Sequence, residues 1–421
     1  MGRAIKMKQI KLKISAQSPL AIGHKKPGSV SEASDYIPGS VIRGAVASQI
    51  LRLSSNPPNT GDDFHKLFID ENAAIFSNAY PATAKYKDNS DNENLVIAET
   101  VSVLPATVVS SKTEPGFKPK GHGVFDTLID RFCAEEFNQF YDPNCPKDGG
   151  RVEPFSGFYS QQSDVYLKHS VTKRLLTRVG INRRRATSEE QILYSLEVLD
   201  EKLATQNKNQ IKQWHDFVYK GKILLENEDL AKQLKTLIEQ HQFRLGGSAS
   251  RGLGKVEIAA ELINYESNIE TKIKEFNAKL KERLKKWAAL FGGQEQTDRT
   301  YFTIDLQADA ILIDNWKRTT VLTPEMLCSF AQVTDGTLKL HAAYTSYDYV
   351  SGWNSAWGLM KDIELVTTKG SVYLFSTKNI ELWSKPLATL EQKGLGERTV
   401  EGFGQVEICN SFHTICREYA V

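Results

Sequence analysis

The stretch Arg251-Gly252-Leu253-Gly254-Lys255-Val256-Glu257-Ile258 recurs 150 positions later as Glu401-Gly402-Phe403-Gly404-Gln405-Val406-Glu407-Ile408. Small, Gly-bearing segments precede both copies: Gly246-Gly247-Ser248-Ala249-Ser250, and Gly394-Leu395-Gly396-Glu397-Arg398. Each copy follows a predicted helix and runs into a predicted strand. A duplicated helix–glycine loop–strand unit predicts two related domains in one polypeptide. The order also argues against a mononucleotide phosphate loop, because those glycine loops follow a strand and open a helix. Neither copy matches G-x-G-x-x-G or ends in Gly-Lys-Ser/Thr.

Working outward, Ile10, Leu12 and Ile14 alternate with polar residues and predict an opening strand over 8–15. A long loop ends at Tyr36-Ile37-Pro38-Gly39-Ser40, where Ser40 is the expected N-cap. Ile42, Val46 and Ile50 then place a helix over 41–52. Residues 53–94 are polar and turn-rich, 95–109 read as strand, and 110–163 read as an irregular insertion rich in Gly, Pro and aromatics. After a basic segment at 165–185 come a strand near 217–225 and a helix carrying Leu230, Leu234, Leu237 and Ile238.

Strand, helix, strands, helix, glycine loop, strand is the ferredoxin-like or RNA-recognition order. The expected fold is therefore α+β: two ferredoxin-like domains in tandem, with the insertion in the first. The predicted boundaries are 1–264 and 299–421, joined over 265–298 by a helix with Ile269, Ile273, Phe276, Leu280, Leu284, Trp287 and Phe291 on one face. Strands are expected in the second half at 301–306, 338–344 and 371–375.

Composition narrows the function classes. The 421 residues are 40% hydrophobic and 25% charged, as in ordinary globular proteins. No run of 18 apolar residues is present, so no membrane span or membrane partner is expected. The start, Met1-Gly2-Arg3-Ala4-Ile5-Lys6, lacks the apolar core of a signal peptide. Five scattered cysteines without a C-x-x-C pair fit a reducing cytoplasm. Net charge is only +2, so affinity for nucleic acid has to come from local clustering.

That clustering lies at 168–185. Lys168, Lys173, Arg174, Arg178, Arg183, Arg184 and Arg185 occur there with no acidic residue and with apolar residues interleaved. A solvated surface run is the bland alternative. A positive strip anchored in a fold suits a phosphate backbone, where each neutralised phosphate adds a salt-dependent increment. The Pro38-Gly39-Ser40 turn, with Arg43 one turn on, offers backbone N–H groups and a helix N-terminus to an anion, or is simply a capped helix start. In the first glycine loop, Ser248, Ser250, Arg251, Gly252 and Gly254 let bare backbone approach a ligand. The first loop and the Pro-Gly-Ser turn are expected side by side. Tyr344, Tyr347, Tyr349, Trp353 and Trp357 suit base stacking, although core packing or a protein interface is the stronger reading.

Catalytic signals are weak. His24, His169 and Asp35 are candidate acid–base groups without an evident partner, and no catalytic residue is assigned. His122, Cys133 and Cys145 lack a fourth metal ligand. Cys145-Pro146-Lys147-Asp148-Gly149-Gly150 reads as a zinc knuckle whose second Cys is Asp148, a lost site. No metal or cofactor is expected.

Several segments resemble one family. Ile37-Pro38-Gly39-Ser40-Val41-Ile42-Arg43-Gly44-Ala45 resembles the "IPGSSLRGAL" start of the RAMP superfamily of CRISPR-associated RNA-binding proteins. Gly247 to Gly254 is similar to that superfamily's C-terminal glycine-rich loop. Thr177 to Arg183 with Glu190-Gln191-Ile192-Leu193-Tyr194 resembles the "TRVAIDR…EGQLY" stretch of type III effector members. Ser351-Gly352-Trp353-Asn354 and Gly370-Ser371-Val372-Tyr373 resemble the "GGWN…GSVY" pair of their two-domain subunits. The chain is most similar to the Csx-ten family of type III-D systems.

The resemblance implies an RNA-binding subunit of a type III ribonucleoprotein for antiviral defence, holding the 5′ repeat-derived tag of CRISPR RNA. It also implies contacts with other RAMP backbone subunits and with the large polymerase/cyclase-domain signalling subunit, and indirect contact with target RNA. Two departures stand out: Asn182 replaces the family's usual Asp, and Glu401 holds the place that Arg251 has in the first loop. A RAMP endoribonuclease and a purely structural protein-binding subunit are the alternatives.

Overall fold

The computed structural model describes residues 7–23, 30–87, 93–182, 187–206, 212–292, 298–354 and 358–421. Its first half is built around the strand Lys8–Ala16, which pairs antiparallel with Val218–Leu225 on one side and Lys255–Asn264 on the other. The short strand Ile75–Phe76 extends the sheet beyond Val218–Leu225. The alternation seen in the sequence has a direct reading here. Ile10, Leu12 and Ile14 are buried beneath the helices Gly39–Leu53 and Glu228–Gln240, while Lys11 and Lys13 stay on the wetter face. The second helix starts where Asn227 accepts hydrogen bonds from the N–H groups of Asp229 and Leu230, and it buries Leu230, Ala231, Leu234 and Ile238.

The second half repeats the arrangement. Thr300–Leu306 pairs antiparallel with Val372–Thr377 and Val406–Ile408, and Lys339–Tyr344 flanks Val372–Thr377. Numbered along the chain, the core strands of both sheets lie in the order second, third, first, fourth. The helix Pro324–Ala331 was not anticipated, although Thr323 caps it by accepting from the Met326 N–H and Pro324 sits in its first turn. Residues 302–306 are buried on both faces because the connector helix Ile269–Phe291 packs against the strand.

The insertion departs from expectation. It is not irregular: it carries the strands Val108–Ser111, Val124–Asp126 and Val152–Pro154 and the helix Leu128–Glu136. Nor does it pack only with the half that contains it. Leu128, Ile129, Phe132 and Cys133 join the core of the second half, and Arg283 of the connector reaches Asp130 at 2.6 Å.

A fully buried cluster completes this attachment. His413 Nδ1 lies 3.1 Å from Asp126 and Nε2 lies 2.7 Å from Asp305, so one imidazolium bridges the insertion and the second sheet. Burial disfavours the charge on His413. Asp305 and Asp126 outweigh it and push the pKa up to about 10.

Candidate nucleic-acid interface

The two glycine loops share one backbone design. In the first, Ser248 (φ 59°) precedes a short 3-10 turn, Ala249–Arg251, which Gly252 (φ 86°) ends. In the second, Arg398 (φ 57°) precedes Thr399–Glu401, ended by Gly402 (φ 95°). The Leu245 N–H donates to Gly254 O at 2.8 Å, and the Leu395 N–H donates to Gly404 O at 2.9 Å. Each loop also clasps the segment after its sheet's central strand: Gly254 N–H donates to Pro19 O, and Gly404 N–H to Asp309 O. Positive φ at matched glycines is what the duplicated G-x-G demands.

Their surroundings differ. Ser250, Arg251 and Gly252 are exposed, with Leu253 buried beneath them as an anchor against Leu176, Leu196 and Val198. Those three residues belong to a long antiparallel hairpin, Lys173–Asn182 with Thr187–Leu199, whose first strand lies in the basic segment of the sequence. Arg178 sits opposite Tyr194 in its ladder. The Arg251 guanidinium lies over the Tyr194 ring, 5.5 Å from its centroid, and donates to the Tyr194 hydroxyl. Loop and hairpin thus form one surface carrying Arg178, Tyr194, Arg251 and exposed glycine backbone. Tyr194 ends the family-like stretch 190–194 of the sequence, but its place opposite Arg178 and against Arg251 is decided by the fold.

Other parts of the strip are already partnered. Lys173 lies 2.6 Å from Asp35 and also donates to Ala33 O, and Arg174 is held by Asp200 and Glu201 at 3.1 and 3.0 Å. These acidic partners are remote in sequence, so an acid-free run was not a charge-free neighbourhood. Lys168 lies over the Phe155 ring at 4.1 Å, and burial lowers its pKa. Arg183, Arg184 and Arg185 lie outside the described residues, as does His24. Among the described residues, Arg178 has no ion pair.

The Pro-Gly-Ser turn requires a correction. Pro38, not Ser40, is the N-cap, and no side chain caps this helix. Gly39 is buried, its N–H donates to Asn78 Oδ1 at 2.8 Å, and a Cβ there would lie 1.9 Å from Phe76 O. Ser40 is half-buried beside it, and Arg43 donates to Phe68 O. The neighbour of this turn is the second glycine loop, not the first: Gly402 approaches Gly39, Phe76 and Asn78. Glu401 locks the contact by binding Arg398 at 2.6 Å and Lys361 at 2.7 Å. Burial raises the Glu401 carboxyl, and the hydrogen bonds from Arg398 and Lys361 outweigh it, taking the pKa down to about 2.

The candidate acid–base groups are dispersed. His169 is buried against Ser160 Oγ at 2.8 Å, and burial lowers its pKa to about 4. Tyr347 and Trp353 are 64% and 61% exposed, whereas Tyr344 packs against the core of the second half, so the aromatic stretch is divided between surface and core. Trp357 lies outside the described residues.

Residues 13–257, more than half of the chain, match the family model of the RAMP superfamily. The chain belongs to that superfamily. None of the curated proteins matches the sequence. Among solved structures, a chain of the type III-B Cmr-beta complex bound to cognate target RNA and AMPPnP aligns with TM-score 0.38 and 12% identity. It covers 88% of this chain and 86% of that one. A chain of the apo Cmr-beta complex aligns with TM-score 0.27 and 12% identity, covering 60% and 96% respectively. The RAMP match begins within the opening strand and takes in the hairpin and the first glycine loop, which make up the candidate interface. No helix of the described residues is long and apolar enough to cross a membrane.

Proposed function

We propose that this RAMP protein is a non-catalytic RNA-binding subunit of a type III CRISPR effector, built from tandem ferredoxin-like domains. The shared strand order of the two sheets supports the fold reading. The observation that carries the RNA reading is the joining of an exposed glycine loop to a basic hairpin through Arg251, Tyr194 and Arg178. Single-stranded RNA suits this surface, because guanidinium groups neutralise phosphates, an aromatic ring offers a stacking face, and Gly252 leaves backbone uncovered. The type III-like hairpin motif supports CRISPR RNA as the ligand, with its 5′ tag the favoured part. Other RAMP subunits and the large polymerase/cyclase-domain subunit are the proposed protein partners.

The nuclease alternative is weaker: His169 is buried and used by Ser160, and Asp35 is paired with Lys173. Repeat-derived RNA binding measured against salt tests the proposal. Arg178→Glu with Arg251→Glu should weaken binding and lower the slope of log K against log salt by about 0.7 for each phosphate no longer neutralised. An unchanged slope would leave the hairpin as a solvated face. Cleavage of labelled repeat RNA by the purified chain would promote the nuclease reading.

A further inference from the structure

The Cys145–Gly150 turn, which in sequence has the form of a knuckle short of a ligand, is completed in three dimensions by a residue from another segment. His122 comes from the loop before Val124–Asp126, and its Nδ1 lies 2.7 Å from Asp148 Oδ2. One ligand atom from each of His122, Cys145 and Asp148 falls within 4.8 Å of the others. The turn is tightly built: Gly149 N–H donates to Cys145 O and Cys145 N–H to Gly150 O, both at 2.9 Å. Gly150 N–H fixes Asp148 Oδ1 at 2.8 Å, while Thr113 and Ser111 hydroxyls reach Oδ2 at 2.8 and 3.0 Å.

We propose that His122, Cys145 and Asp148 bind one zinc-class divalent cation, with water in the fourth position. A borderline cation fits the donor set: one imidazole nitrogen, one thiolate sulfur and one carboxylate oxygen, all within 4.8 Å of one another. The formal charges of thiolate and carboxylate together balance a dication. Binding breaks the Cys145 S–H bond, releases its proton to solvent, and forms a sulfur–metal bond. Hydroxyl and amide donors to Asp148 act as outer partners that orient the ligating carboxylate.

The rival account is that Asp148 closes the turn by hydrogen bonding alone. It explains the Thr113 and Ser111 contacts. It does not require a buried thiol and an imidazole to converge on the same carboxylate. The ion would clip the loop holding His122 to the turn at 145–150. That loop leads into Val124, whose N–H donates to Val421 O at 2.8 Å, so the clip would stabilise the seat of the chain's last residues.

Cobalt(II) titration of the purified full chain, with elemental analysis after zinc loading and removal of free metal, tests the site. One equivalent of metal and one sulfur-to-cobalt charge-transfer band are expected. Cys145→Ser should abolish the band, and Thr113→Ala should weaken cobalt binding about 10- to 100-fold. Asp148→Cys should intensify the band, since two thiolates then bind; this variant decides the matter if Cys145→Ser fails to fold. The proposal is overturned by a wild-type chain with no stoichiometric metal and no band. A band that survives Cys145→Ser, or one that Asp148→Cys leaves unchanged, overturns it equally.

Discussion

Gly252 and Gly402 hold nearly the same backbone conformation, yet a Cβ would meet nothing within 4 Å at the first and Asn78 Oδ1 at 2.8 Å at the second. The first loop ends in open solvent beside Arg178 and Tyr194. The second is pressed onto the Pro38–Gly39 turn of the other half and tied down by Glu401. One backbone motif therefore serves two purposes. Exposed, it leaves open space above Gly252; covered, it allows two sheets to approach closely. The residue preceding the first glycine marks the difference: Arg251 reaches outward to the hairpin, and Glu401 turns back onto Arg398 and Lys361.

The largest expected effect lies on the covered side, where His413 clamps the insertion to the second sheet. His413→Gln leaves Asp126 and Asp305 buried without their cation and should cost about 3–5 kcal/mol by chemical denaturation. The pH dependence has a definite sign. The folded pKa is raised from 6.5 to about 10, so the contribution is complete below 6.5 and fades as pH rises through 10. The stability gap between wild type and variant should therefore narrow between neutral pH and 10. A constant gap would show that charge is not what holds the clamp.

Next in size is the direct comparison of the loops. Gly402→Val should cost about 3 kcal/mol or more, because both its φ and its neighbours forbid a side chain. Gly252→Val is strained by φ alone and should cost about 1–2 kcal/mol, while lowering RNA affinity in the fraction that remains folded. Thermal melting and RNA binding on both variants separate the roles. Equal destabilisation, with normal RNA binding by Gly252→Val, would make both loops structural turns.

The smallest effect is at Glu401. Glu401→Gln should destabilise the chain by about 1–2 kcal/mol without changing RNA affinity. Because the folded pKa is depressed, this contribution is present above the ordinary carboxylate pKa of 4.5 and is lost as pH falls towards 2. A drop in RNA affinity at constant stability would place the second loop in the RNA surface after all.

Much of the fold was readable along the chain because its signals are local. The helix predicted over 41–52 is Gly39–Leu53, the connector spans Ile269–Phe291, and the strand expected near 217–225 is Val218–Leu225. The site was less legible. Lys173 and Arg174 looked free because Asp35, Glu197, Asp200 and Glu201 lie elsewhere in sequence. The insertion looked irregular because its strands are short and its helix buries Leu128 and Phe132 against a core supplied by other segments.

Period, turn chemistry and repetition belong to neighbouring residues, so the sequence alone determined the longest helices, most core strands, the duplicated glycine loops and the RAMP-like motifs. Only the tertiary structure decided which loop is open and which is sealed, that Arg251 meets Tyr194, and that His413 bridges Asp126 and Asp305. Those outcomes depend on which surfaces the chain brings together over hundreds of residues. Arg251 and Glu401 distinguish the two copies in sequence, but which copy is covered is decided by the neighbours that arrive from elsewhere.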